Sequence, residues 1–543
     1  MTPDELAARA EHWARALTAI PSVTGSAAEA AFADRLVEML RHSPAFGGPS
    51  AVIETLAVPG GSFPRQVVLA LRRGRGRRTV VLTGHYDVVS IDNFGEMLPL
   101  AFDPDALLPA LIATLAAEPE SAANLLALAD LRSGNFLPGR GLLDMKAGLG
   151  AAIAAIEAFA ADPEAEGNLL FVAVPDEEAN SAGARAAATH LRDFAARHRL
   201  DLEAAINMDA IADDGDGSKG RVVTLGTIGK LLPTALVVGV PIHASYSHRG
   251  FSAAALAGAL AAEMEWAPEF VERLGEEVSA APTLLGSKDT RLGYDVTTPE
   301  RAWMYWNVAL LQHTAQRVLD LTRAVAERAA ITFCASLEAR RKAAGLPGTT
   351  AAVRVLTYAE LLGQVEALRP GTAAEIDGEA MRLSAEGQTL PEIARASTEL
   401  LWSVSGWAGP AIVLGFGSTP YAPVLLGDTA GAQRLDRATR AAVGELQAAG
   451  LTLGIRPFFP AISDVSFFGE ADAAAFAPVA ANTPMWRTAL GMDEKPPTAN
   501  LPTINAGPWG RDYHGRTERL AKDYAFAVLP RLLLAIARQV LSA

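Results

Sequence analysis

The stretch VLTGHYDVVS closes a hydrophobic run with a glycine and then sets an imidazole, His85, and a carboxylate, Asp87, two residues apart. Side chains in a strand alternate faces with period two, so both project to the same side. Such a pair suits a metal-binding histidine whose second ring nitrogen is held by a carboxylate. Alone it describes a polar strand edge equally well, and its meaning depends on the partners that the rest of the chain supplies.

Candidate partners recur at the ends of further hydrophobic runs. A glycine-rich segment, GNFLPGRGLLDMKAGLG, brings Asp144 and Lys146 to the mouth of a helix whose Leu149, Ile153, Ile156 and Phe159 mark a buried face. The run Leu169 to Val174 ends in PDEEANSAG, which puts Glu177 and Glu178 just past a strand, and AAINMDA carries Asp209 in the same way. Near the end of the sequence, GPWGRDYHGRTER presents His514 from a glycine-rich loop. The alternation of strands and helices predicts an α/β domain with a mainly parallel sheet. Ligands of such sheets sit beyond the carboxyl ends of the strands, where these acids fall. Two imidazoles and several carboxylates match borderline divalent ions, Zn²⁺ first, with Co²⁺ or Mn²⁺ as substitutes. The set exceeds the three protein ligands of one catalytic zinc, and two metals sharing a bridging carboxylate account for the surplus.

The elements that must position these groups exceed one core, because 543 residues call for two or more domains. The net charge of −14 argues against a nucleic-acid or anionic-membrane partner. A single cysteine, Cys334, excludes an intrachain disulfide and a thiolate zinc site. Thr2, Pro3 and Glu5 form a helix-capping box where a signal peptide would carry positive charge, and no charge-free apolar run reaches the ~18 residues that span a bilayer. A cytoplasmic protein is expected. RRGRGRR, Arg72 to Arg78, is expected as a solvated hairpin turn, since no strand-to-helix phosphate loop surrounds it. From about Leu225 the texture changes. A strand leads to PIHAS with His243 at its end, and runs near Thr283–Val296, Ala302–Leu311 and Val353–Leu356 complete a four-stranded unit with helices on one face. The expected architecture is a three-layer α/β/α domain with a mainly parallel central sheet, residues 1–224 and 361–543, interrupted by a smaller α+β domain, residues 225–360. Neither G-x-S-x-G nor H-E-x-x-H occurs, which removes a serine hydrolase and a zincin.

Taken in chain order, GHYDVV, GRGLLDMKAG, PDEEANSAG, NMDA, GVPIHAS and GRDYHGRTER resemble the M20 family of metallopeptidases and amidohydrolases, the carboxypeptidase, aminoacylase and desuccinylase group. The length and the GP…H…TER ending are similar to its longer, arginine-utilisation-type members. The resemblance implies that His85 and Asp209 bind one metal, Glu178 and His514 a second, and Asp144 both, with a cis peptide after Asp144. Asp87 would orient His85. Glu177 would be the general base, drawing a proton from water held between the ions and passing it to the leaving amine, a contribution of roughly 10²–10⁴-fold. The inserted domain would be a lid whose His243 stabilises the oxyanion, with His248 as a competitor for that role, and it could form a homodimer. Ser463 and Asp464 resemble a substrate-binding loop. The implied substrate is a dipeptide or N-acyl amino acid; the alternative is a non-catalytic relative that binds a small amino-acid derivative or a protein partner.

Overall fold

The computed structural model describes residues 1–542 apart from 214, 216, 292, 348–350 and 493–495. The chain divides into two units: Met1–Thr227, Val424–Ala471 and Pro497–Ala543 form the first, and Ile228–Pro423 with Asp472–Pro496 the second. The second unit starts near the expected boundary but extends further, so residues 361–423, expected in the catalytic domain, belong to it.

The first unit is built on an eight-stranded sheet. Its strands are β1 (Ala51–Val58), β2 (Arg65–Arg73), β3 (Arg75–His85), β4 (Glu166–Val174), β5 (Asp201–Asn207), β6 (Val222–Thr224), β7 (Gly454–Arg456) and β8 (Thr503–Asn505). They lie in the order β1-β2-β4-β3-β5-β8-β6-β7. The four central strands β4, β3, β5 and β8 are parallel, and β2 joins β4 antiparallel. Because β4 inserts between β2 and β3, the arginine-rich segment is a crossover past the start of β4 and not the expected hairpin turn. The backbone N–H groups of Gly74 and Arg75 donate to Gly167 and Ala165 there. Its guanidinium groups pair with acids, Arg75 with Glu164, Arg77 with Asp201 and Arg78 with Glu203.

Period-two alternation divides the sheet between two faces. Val68, Ala70, Val80, Leu82, Leu169 and Phe171 enter one hydrophobic core with helices α1 (Pro3–Thr18), α2 (Ala27–His42), α3 (Ala147–Ala160), α5 (Ala430–Ala448) and α6 (Leu529–Ser542). Val67, Leu69, Val81, Leu170 and Val172 are fully buried on the other face, where α4 (Ala182–His198) packs. Helices on both faces explain why the central strands read as unbroken hydrophobic runs. Helix α3 is buried on nearly all sides rather than along one face, because α1 and α6 cover what the sheet does not. The segment Asp523–Ser542 is long and apolar enough to cross a membrane by length and composition alone. Here it forms core, with Leu532, Leu533 and Ile536 fully buried. A second, four-stranded sheet joins Phe136–Pro138, Arg519–Ala521, Trp509–Arg511 and Ile211–Ala212 in that order, and its hairpin carries His514.

In the second unit, Arg301–Leu310 pairs with Thr283–Asp289 on one side and with Gly229–Leu231 and Pro233–Val238 on the other. Ala411–Phe416 adds antiparallel to Pro233–Val238, and Arg354–Thr357 adds parallel to it. The sheet therefore has six strands instead of the expected four. The apolar run PAIVLGF pairs here, which carries the helices Tyr358–Leu368, Thr372–Ala385 and Leu390–Ser405 into the same unit.

One close approach gives a stability test. A Cβ on Gly150 of α3 would lie 2.7 Å from the Ala14 backbone nitrogen and 3.0 Å from the Ala10 carbonyl oxygen of α1. Glycine to alanine inside a helix ordinarily stabilises, but here backbone stands in the way. Gly150→Ala is expected to lower stability by about 1–3 kcal/mol, read from the urea midpoint; a raised midpoint would show that α1 yields freely.

Candidate metal centre

Adjacent parallel strands bring the polar groups to one edge of the central sheet. β3 ends on His85, β4 leads through Pro175 and Asp176 to Glu177 and Glu178, and β5 leads to Asp209. The turn after β4 is fixed by Asp176, whose carboxylate pairs with Arg65 and accepts from Ala182 N–H at 3.1 Å. Its carbonyl accepts from the N–H groups of Asn180 and Ser181. The Asp144–Met145 peptide is cis.

The side chains converge closely. His85 Nε2 lies 3.1 Å from Asp144 Oδ1 and 3.9 Å from both Glu177 Oε2 and Asp209 Oδ1. His514 Nε2 lies 3.2 Å from Asp144 Oδ2 and 3.2 Å from Glu178 Oε2. Three groups have ligand atoms within 4.8 Å of one another and could each hold a cation: His85, Asp144 and Asp209; Asp144, Glu178 and His514; and His85, Glu177 and Glu178. The first two share Asp144, one carboxylate oxygen turned toward each imidazole.

Asp87 sits differently from the arrangement inferred from sequence. His85 Nδ1 is 2.9 Å from the Asp87 backbone carbonyl oxygen and 3.6 Å from its carboxylate. The carboxylate accepts from the backbone N–H groups of Glu177 at 3.1 Å and Glu178 at 3.2 Å, and from the Thr24 hydroxyl at 2.9 Å. Asp87 thus ties the acid pair after β4 to the end of β3, while its carbonyl orients the imidazole.

The electrostatics fit cations. Burial and neighbouring carboxylates push Glu177, Glu178 and Asp209 above the usual carboxylate range. Asp144 is held low despite its burial, by hydrogen bonds to His514 and His85. Hydrogen bonds to Asp144 and Glu178 push His514 up to about 10. Burial would lower His85, but Asp144 and Asp87 hold it well above its ordinary value. Glu178 Oε1 is buried without a hydrogen-bond partner. Crowded, buried carboxylates, two imidazoles set among them and an orphaned acid oxygen together describe a site that divalent ions would neutralise. The N/O donor set, free of thiolate, suits Zn²⁺, Co²⁺ or Mn²⁺.

His85, Asp87, Asp144, Glu177, Glu178, Asp209 and His514 are thus brought together. His243 lies in the second unit, exposed, capping the short 3₁₀ turn Ala244–Arg249. Asn505 and Glu518 escape sequence reasoning, whereas Lys146 and Asp464 are already visible there, Asp464 in the loop that resembles a substrate-binding loop. Asn505, at the end of β8, accepts from Asp209 N–H at 2.9 Å and donates to its carbonyl at 3.0 Å; a polar residue closing the apolar run PTIN was its only signal. Asp464 is buried, and its charge bears on Glu177 and Asp209. Lys146 is buried and turned from the acids, with Nζ donating to the Ile20 carbonyl at 2.7 Å. Glu518, in the TER part of the His514 segment, accepts from Gly141 N–H at 3.0 Å.

The model of peptidase family M20/M25/M40 matches residues 119–483. The chain is 29% identical over 556 residues to the protein RocB of Bacillus subtilis strain 168, covering 98% of this chain and 94% of RocB. Its fold is similar to that of a tripeptidase from Staphylococcus aureus Mu50, with a TM-score of 0.54, 14% identity and 99% of each chain covered. It is also similar to YXEP of Bacillus subtilis, described as a dinuclear metal-binding peptidase, with a TM-score of 0.50, 12% identity and 99% of each chain covered. Matched over more than half its length by the family model, this chain belongs to peptidase family M20/M25/M40.

Proposed function

We propose that the chain is a two-metal hydrolase that cleaves an amide or peptide bond in a small amino-acid-like substrate, a dipeptide or an N-acyl amino acid. The observation that carries this reading is the pair of histidine–carboxylate groups sharing Asp144, with Glu177 beside them. His85 and Asp209 would hold one ion, Glu178 and His514 the other, and Asp144 both. Two bound divalent ions, Zn²⁺ foremost, would lend Lewis acidity to the scissile carbonyl and to the attacking water. The family match and the likeness to a tripeptidase and a dinuclear peptidase support this reading. The likeness to RocB along nearly all of both chains supports a place among the longer members.

The chain's own residues divide the remaining work. Glu177 takes the proton of the attacking water and returns it to the departing amine, and its enclosed, carboxylate-rich surroundings favour the protonated intermediate state. Its neighbour Glu178 faces His514 instead. Asp87 enforces this division by holding both backbone N–H groups. His243 Nδ1 accepts from Ser245 N–H at 3.2 Å, which puts the ring proton on Nε2, the tautomer an oxyanion donor needs. The oxyanion-donor role of His243 is the one that the family resemblance implies.

Metal content by plasma mass spectrometry and turnover on a panel of dipeptides and N-acyl amino acids test the assignment. Asp144→Ala is expected to lose both ions and all activity. Glu177→Gln is expected to keep both ions while kcat falls by about 10²–10⁴-fold; a fully active Glu177→Gln enzyme would remove the general base from the mechanism. Asp87→Ala frees two backbone N–H groups beneath the acid pair and is expected to cut kcat/KM by about 10–100-fold. Bound metal without turnover on any amide would favour a binding protein.

A further inference from the structure

We propose that Glu518, Arg140 and Asn93 form a clasp that positions the Asp144–His514 half of the centre, and so sets the affinity of one metal position more than the other. This rests on the two-metal reading above. Glu518 is 1% exposed and stands four residues after His514 in the chain. One oxygen, Oε1, accepts from the backbone N–H of Gly141 at 3.0 Å and of Asp144 at 3.5 Å. The other, Oε2, pairs with Arg140, which is equally buried. Arg140 in turn reaches back through Nη2 to the His514 carbonyl and to Asn93 Oδ1, both at 3.1 Å. Asn93 Nδ2 donates to the same His514 carbonyl at 2.8 Å.

One ion pair therefore grips the backbone of both ligand residues without its own side chains entering either group of ligands. The geometry of the two loops explains the need. They leave the same end of a single ladder, in which Pro138 pairs with Arg519 and Leu137 with Leu520, and beyond it no strand pairing holds either of them. Asp144 lies six residues beyond that ladder on one side, and His514 stands in the left-handed region with a φ of 65° on the other. His85, by contrast, ends a strand paired on both sides, and Asp209 follows a strand laddered to β3 and β8. Sheet hydrogen bonds fix those two ligands; the clasp fixes His514. Because Asp144 serves both positions but His514 only one, loss of the clasp falls chiefly on the position shared with Glu178.

The test is stepwise Zn²⁺ affinity by chelator competition on the full-length protein, with thermal unfolding measured in parallel. Wild type is expected to bind two Zn²⁺. Glu518→Ala and Arg140→Met are expected to hold the first with little change and the second about 10–100-fold more weakly. Asn93→Ala, at an exposed position whose loss leaves the core intact, is expected to weaken only the second, in the same direction and by less. Glu157→Gln is the comparator: it breaks another ion pair of a buried carboxylate, with the half-buried Arg9, between α3 and α1, and should leave both affinities unchanged even where the melting temperature falls. Unchanged second-site affinity in Glu518→Ala and Asn93→Ala, or equal loss at both positions matching that of Glu157→Gln, would overturn the clasp. A wild-type protein that binds fewer than two Zn²⁺ would instead overturn the two-metal reading, and the clasp with it.

Discussion

Five carboxylates, Asp87, Asp144, Glu177, Glu178 and Asp209, gather around two imidazoles at one edge of the central sheet, and like charges so enclosed repel strongly. The rest of the first unit is arranged to tolerate that crowding. The ion pairs of the inner acids are with His85 and His514, whereas the guanidinium groups stand one layer out: Arg65 pairs with Asp176 and Arg140 with Glu518. Arginine at the rim fixes the loops without neutralising the centre. The negative charge is left for a divalent cation to compensate.

Holding such a cluster together demands a stiff base. Three adjacent parallel strands, buried on both faces, provide it, and their shared direction is why His85, the Glu177–Glu178 pair and Asp209 arrive side by side. Close packing continues beneath: a Cβ on Gly84 would lie 2.1 Å from the end of the Met145 side chain, whose sulfur accepts from the His85 N–H at 3.3 Å. The glycine before His85 is thus part of how the strand end and the Asp144 loop meet. His514 comes from a hairpin outside the main sheet, and it relies on hydrogen bonds to its carbonyl for its place.

How much of this could be read beforehand follows from what kind of information each feature needs. Period-two patterning and the residues just past each hydrophobic run were enough to find His85, Glu177, Glu178 and Asp209, since both signals are local. Strand order is not local. Nothing in RRGRGRR reveals that β4 lies between β2 and β3, and nothing in PAIVLGF says which sheet it joins, so local patterning alone predicts a hairpin turn and a boundary at residue 360 where the fold has neither. The role of Asp87 is half legible: its nearness to His85 is in the sequence, but its carboxylate serves backbone N–H groups 90 and 91 residues away. Asn505 and Glu518 were missed because they act on backbone atoms, and a side chain that satisfies a distant N–H leaves almost no mark on its neighbours in sequence.

The proposed centre rests on two cations sharing Asp144. Anomalous diffraction at the zinc absorption edge, from crystals grown with Zn²⁺, measures this directly. Two peaks are predicted, one beside His85 and Asp209 and one beside Glu178 and His514, with Asp144 between them. A single peak in crystals of fully active protein, or peaks that leave Asp144 uncoordinated, would contradict it.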